Sequence, residues 1–400
     1  MALLQIDNKA RTDNSLPVLR LGFRPFFLLA GGAAVVLLTY WLHLLNGGET
    51  PTGYGGVNWH AHEMLFGFAV AVIAGFLLTA AKNWTNLQTL HGPWLAGLAL
   101  LWLAARLAPL LMLPQWLIAL IDLSFLPVLA LVLLPPLLRS KQHQQLIFVV
   151  ILVALFAANL LFHLGYLHPA WQTTGLGIQL AWMTIVLLIV IMGGRVIPFF
   201  IERGTGALKK VRQSRVIDIA GMVTLLAWMV AALIAPAHVT VAYLAVLAGS
   251  VQLLRWWGWH LRALWRVPML WILYLGYAWI PLGLFLYADA VFAGGPTSIA
   301  LHAFTAGTIG MLTVGMMSRV SLGHTGREIA AGPLLITAFV LVTLGSVLRV
   351  FGPLLLMRVI EMKYVTMVTS AGVLWALGFL LFLILYLPIL MQPRVDGRPG

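Results

Sequence analysis

Val57-Asn58-Trp59-His60-Ala61-His62-Glu63-Met64 runs straight into an unbroken apolar stretch that ends at Ala81. About twenty apolar residues cross a bilayer as a helix. The stretch therefore reads as a membrane span whose entrance carries two imidazoles and a carboxylate. Ionisable groups are costly in hydrocarbon, so three of them at one helix mouth need a chemical reason. Neutral imidazole is a common protein ligand for iron, copper and zinc, so the stretch points to a metal or haem site. The plainer alternative is an interfacial cluster that hydrogen-bonds water and lipid headgroups.

Working outward, the composition agrees with a membrane chain. Of 400 residues, 62% are hydrophobic and only 9% are charged, too little charge to cover a soluble surface. No cysteine is present, so disulfides, thiolate ligands and Cys-bound clusters are excluded. The net charge of +13 sits in loops and points to no nucleic acid. The polar first twenty residues lack the apolar run and small-residue site of a cleavable signal, so the first span is expected to be the anchor.

Apolar runs between breaks predict an all-α, polytopic transmembrane helix bundle of about twelve spans in a single domain covering 1–400. The spans fall near 23–45, 60–81, 93–113, 116–138, 145–166, 175–197, 216–235, 239–259, 268–288, 297–318, 331–351 and 364–390. Pro281 is expected to kink the ninth. The longest connection, about 198–215, is basic and is expected to lie on the surface against anionic headgroups. Placing both termini in the cytoplasm puts all but four of the 24 Lys and Arg on the cytoplasmic side; the exceptions are Arg106, Arg349, Arg358 and Lys363. Shifting the topology by one helix destroys that asymmetry, so orientation follows from the positive-inside rule.

Orientation turns the histidines into geometry. Seven of the eleven fall at the outer face, and His60, His62, His163 and His302 sit at or inside the ends of strongly apolar helices. These four are the candidate haem or metal ligands. Asn159 shares a helix face with His163, and Glu63 shares one with His60. Glu63 is thus expected to hold the second imidazole nitrogen of His60, as supporting carboxylates commonly do. His60 and His62 are two apart and point to different sides of a regular helix, so they serve two centres, or one centre only if the helix start is unwound. His62 is followed by Gly67 and Gly75, and His302 by Gly307 and Gly315, at the same offsets. Either helix packing or close approach of a macrocycle accounts for such glycines. Arg106 and Arg349 lie at similar depth as candidate propionate partners, with interfacial snorkelling as the alternative.

On the cytoplasmic side, two stretches leave a span through Gly and Arg: Met192 to Phe200, with Arg195, and Gly315 to Arg327, with Arg319, His324 and Arg327. They suit a phosphate, a quinone headgroup or a second cofactor, or simply caps and lipid contacts.

Several stretches together resemble the NnrS family: Gly22-Phe23-Arg24-Pro25-Phe26-Phe27, Trp59-His60-Ala61-His62-Glu63-Met64, Ala80-Ala81-Lys82-Asn83-Trp84-Thr85, Gly193-Gly194-Arg195-Val196-Ile197-Pro198-Phe199-Phe200 and Ser321-Leu322-Gly323-His324-Thr325-Gly326-Arg327. The likeness runs in order through nearly the whole chain. It implies a bacterial inner-membrane protein carrying haem, of b-type, and copper, in the response to nitric oxide around denitrification and nitrosative stress. Expected partners are the lipid bilayer, nitric oxide and a quinol or other membrane electron donor. It supplies neither a settled reaction nor ligand assignments. Twelve spans with His at the outer ends of spans 2 and 10 also resemble subunit I of haem–copper oxidases, but spans 6 and 7 lack the His that carry copper there, so that active site is not transferred.

Three functions compete: a redox or nitric-oxide-handling haem–copper protein, a transporter or chaperone for haem, copper or another small molecule, and a scaffold without cofactor. Intramembrane acids are few, namely Glu63, Asp122, Asp218 and Asp289, with Asp122 at interior depth. That argues against oxidase-type proton pumping. A transporter calls for broken helices at the midplane, and a scaffold leaves the outer histidines unexplained.

Overall fold

A computed structural model describes residues 16–50, 53–206, 210–359 and 363–398. Lys9, Arg11, Lys209 and the side chain of Arg358, which contribute to the charge asymmetry, lie outside the described residues. In hydrocarbon every backbone N–H and C=O must be satisfied within the segment, and the chain obeys this with helices throughout. Twelve are long and apolar enough to cross a membrane: α1 (Phe23–Leu45), α2 (Gly56–Thr85), α3 (Gly92–Leu111), α4 (Gln115–Arg139), α5 (His143–Leu167), α6 (Thr174–Thr205), α7 (Arg215–Ile234), α8 (Val239–Gly258), α9 (Pro268–Phe292), α10 (Ser298–His324), α11 (Pro333–Val359) and α12 (Tyr364–Met391).

Two boundaries depart from expectation. The sixth helix runs through Pro198 to Thr205 and the tenth runs on to His324, so the long basic connection shortens and Arg319 and His324 are helical. Proline is tolerated inside a membrane helix when neighbours take up the freed groups. The same tolerance applies to Pro281, inside a helix that runs on from Pro268 to Phe292.

An even number of spans returns the chain to its starting face. Arg24 Nη1 ties the two ends together there, donating to Leu390 O at 2.9 Å and Gln392 O at 2.7 Å. Helix α2 is the enclosed one: 89% of its central window is buried, against 28% for α7. It packs on α1 and runs close to α4 and α6, so the histidine-bearing entrance belongs to the best-buried helix.

Helices α2 and α10 share a feature that periodicity did not reveal. Each widens into a seven-residue π segment immediately after its histidine, Glu63–Ala69 after His62 and Ala303–Ile309 after His302. Such wide turns often mark functional sites. Each places its glycine at the same point and has a carbonyl captured from a neighbouring helix. Trp102 Nε1 donates to Gly67 O at 3.1 Å, and Ser346 Oγ donates to Ala306 O at 2.8 Å. The repeated glycines serve packing. A Cβ on Gly307 would fall 2.4 Å from the Trp279 ring, and one on Gly75 would sit 3.0 Å from Phe26 and Phe27. Gly67 makes room for Arg106, whose Nη1 would lie 3.1 Å from an added Cβ.

Candidate metal centre

The structure shows which histidine meets which carboxylate at the entrance of α2. Glu63 does not pair with His60. Its Oε1 lies 3.1 Å from Nδ1 of the adjacent His62. His62 then projects between α4 and α5. Its Nε2 lies 3.1 Å from Asp122 Oδ2 and 3.1 Å from Asn159 Oδ1. His163, one turn beyond Asn159 on α5, brings its own Nε2 to 3.0 Å from the same Asp122 oxygen. Asn159 Nδ2 donates to that oxygen at 2.7 Å, which sets the orientation of its amide. His62, Glu63, Asp122, Asn159 and His163 are all buried.

Arg106 closes the network. Its Nη1 donates to Glu63 Oε2 at 3.0 Å and its Nη2 bonds Asp122 Oδ1. The sequence placed Arg106 as a propionate partner; the structure commits its guanidinium to these two carboxylates. Two carboxylates against one guanidinium leave one negative charge in a dry interior. Both nitrogens of His62 face acceptors only, so without a bound cation the charge is matched when His62 carries both ring protons. His163 differs, because Tyr54 OH lies 3.4 Å from its Nδ1 and can donate there. Tyr54, from the segment before α2, caps the cluster, with Phe162 and Phe66 ring centroids 4.5 Å and 5.0 Å from His62. These rings keep water out and strengthen each polar contact.

The donor set fits a metal ion. One nitrogen each from His62 and His163 and one oxygen from Asp122 all lie within 4.8 Å of one another. Two imidazoles and a carboxylate suit copper, zinc or iron in a chain without thiolates. Glu63 on the far nitrogen of His62 is the supporting contact that fixes a ligand tautomer.

His60 and His302 occupy a second locus. His60 stacks on Trp41 at 4.6 Å between centroids, and its Nδ1 is buried without a hydrogen-bond partner. His302 Nδ1 donates to Ser298 O at 2.7 Å, which leaves the Nε2 lone pair available. The two imidazoles are near enough to act on each other electrostatically, and Arg349 acts on both. Two imidazoles, one with an orphaned nitrogen, and a nearby guanidinium are a donor set of the kind a haem with its acidic side chains uses. His60 and His62 thus point to different surroundings, His60 against Trp41 and His62 toward Asp122 and Asn159.

The remaining candidates scatter. Arg195 is exposed and donates to Gln145 Oε1 at 3.3 Å. Arg319 is buried with its guanidinium 4.0 Å from the Phe200 ring centroid. His324 packs 5.6 Å from Phe23, and Arg327 Nη2 donates to Gln392 Oε1 at 3.2 Å. Sequence reasoning missed Asp122 as a site residue, although its depth in a strongly apolar helix was the available signal. Tyr54 gave no signal, since it lies in a Gly-rich segment outside any span.

The fold and this site define a polytopic α-helical membrane protein with a buried, metal-competent His/Asp centre at one end of the bundle. The family model described as NnrS protein matches residues 17–394, and the chain belongs to that family. Comparison with curated proteins finds no match.

Proposed function

We propose that this chain is a haem- and copper-binding protein of the bacterial inner membrane that handles nitric oxide, with its redox site near the outer face and both termini in the cytoplasm. The observation that carries the reading is the convergence of His62 Nε2 and His163 Nε2 on one oxygen of Asp122, at 3.1 and 3.0 Å, in a buried pocket. His62, His163 and Asp122 would hold copper; His60 and His302 would hold haem iron, with Arg349 beside them. When bound, these groups supply a site for nitric oxide and one-electron chemistry.

The chain's own residues prepare that site. Glu63 holds Nδ1 of His62 and so turns Nε2 inward. Arg106 offsets the negative charge of both carboxylates and keeps Asp122 facing the imidazoles. Asn159 occupies one lone pair of the shared oxygen. Tyr54 and Phe162 exclude water, which limits competing proton leakage.

A reduced-minus-oxidised visible spectrum of the detergent-purified protein, with iron and copper analysis on the same sample, tests this. A Soret shift on reduction, a further shift with nitric oxide and near-stoichiometric iron and copper are expected. A flat spectrum from folded protein made with haem available, and no bound metal, would move the reading to transport or chaperoning of a small molecule.

A further inference from the structure

Directly beneath the two π segments lies a cavity of about 110 Å³ between α1, α2, α6 and α10. Its lining on α2 begins at Ala69 and on α10 at Ile309, the last residue of each π segment. Phe27, Val72, Phe76, Leu188 and Met316 are among its walls. The one hydroxyl on the lining, Thr313 Oγ1, donates to Gly310 O at 3.0 Å. A cavity with apolar walls and no free polar group stays dry and accepts hydrocarbon; one of roughly 150 Å³ holds a benzene ring.

One turn past Met316, away from the histidines, lies a cation for which no acceptor is found among the described residues. Arg319 follows Met316 by three residues and Phe200 follows Val196 by four, so each continues a wall of the cavity along its own helix face. The two meet, with the Arg319 guanidinium 4.0 Å from the Phe200 centroid. Arg319 is 9% exposed, its Nε is buried with no hydrogen-bond partner, and among the described residues no carboxylate acts on it. Leaving a buried guanidinium nitrogen unmatched is costly, so a ligand oxygen there is worth more than one in water.

We propose that the cavity and Arg319 together bind a quinone-type membrane amphiphile, with a ring carbonyl accepting from Arg319 beside Phe200 and an apolar portion in the cavity. The volume takes one short branched unit, with the remaining tail in lipid. The choice of quinone rests on the redox reading above, which needs a membrane electron donor. The site itself rests on the orphaned Arg319 nitrogen and the dry cavity.

The test uses full-length protein in nanodiscs of neutral lipid, a photoreactive azido analogue of decylubiquinone, and peptide mapping. Labelling confined to Met192–Phe200 and Thr313–Arg319, competed by decylubiquinone and not by oleate, is the expected result. Arg319→Gln, which removes the guanidinium, and Val72→Phe, which fills the cavity, should each weaken competition tenfold or more. Because the two act at different ends, either folded variant suffices. Diffuse labelling, equal competition by oleate, or unchanged affinity in the folded variants would overturn the proposal. Metal analysis of the same nanodiscs separates the two readings. Saturable labelling of metal-free protein keeps the quinone site and removes the redox reading. Metal-loaded protein without saturable labelling removes the quinone site alone.

Discussion

His62 Nε2 and Asp122 Oδ2 stand 3.1 Å apart across 60 residues of chain, joining α2 to α4 inside the bundle. A second imidazole from α5 reaches the same oxygen. Three helices thus meet at one carboxylate, and a substitution there tests the ligand set directly. His62→Ala, His163→Ala and Asp122→Asn should each remove most of the bound copper. His91→Ala and His143→Ala, at the opposite end of the bundle, should leave it unchanged. Elemental analysis of purified variants decides, and equal copper in all five would contradict the assignment.

The second locus predicts a different loss. His60→Ala and His302→Ala should each lower haem content while sparing copper, since His302 Nε2 and the orphaned His60 nitrogen do not share a partner with Asp122. Arg349→Leu should weaken haem retention to a lesser degree. The Soret absorbance per protein, read beside copper, checks this. Haem retained in both histidine variants would remove iron from this locus.

How much of this was legible in the sequence follows from range. Twelve apolar runs gave the spans, because lipid demands continuous hydrophobic length and that is a local property. His62 and His163 stood out as imidazoles in apolar helices for the same reason. The partner of Glu63 was misread, because a shared helix face does not fix side-chain direction: His60 stacks on Trp41 while Glu63 reaches the adjacent His62. The alliance of Arg106 with Glu63 and Asp122 joins residues 43 and 16 positions apart on three helices, and no periodicity reports such a meeting. The matched offsets of Gly67 and Gly307 were visible, but their meaning, two equivalent π segments, needed the backbone.

Arg106 supports a stability prediction. Removing one member of a buried ion network strands the others, at a cost of about 3–5 kcal/mol. Arg106→Leu should therefore lower the thermal midpoint of the detergent-solubilised protein or abolish its accumulation. Arg106→Lys should be milder, because a single ammonium keeps the charge but loses the fork that spans two carboxylates. A midpoint unchanged in Arg106→Leu would show that the network contributes little.

The glycines give a contrast within one chemistry. Gly307→Ala puts a methyl 2.4 Å from the Trp279 ring, whose Nε1 is held by Met311 Sδ at 3.1 Å. Such overpacking costs about 1–3 kcal/mol. Gly97→Ala on α3 meets nothing within 4 Å and should stay within about 1 kcal/mol of the parent. Thermal midpoints of the two variants side by side check the ordering.

In the proposed function His62, Asp122 and His163 hold copper apart from the haem. Copper and haem should be measured together in the purified protein and in Asp122→Asn, which keeps the size of the side chain and removes its charge. About one copper and one haem per chain are expected in the parent, and in the variant haem retained with copper lost. Copper unchanged in folded Asp122→Asn would contradict that assignment.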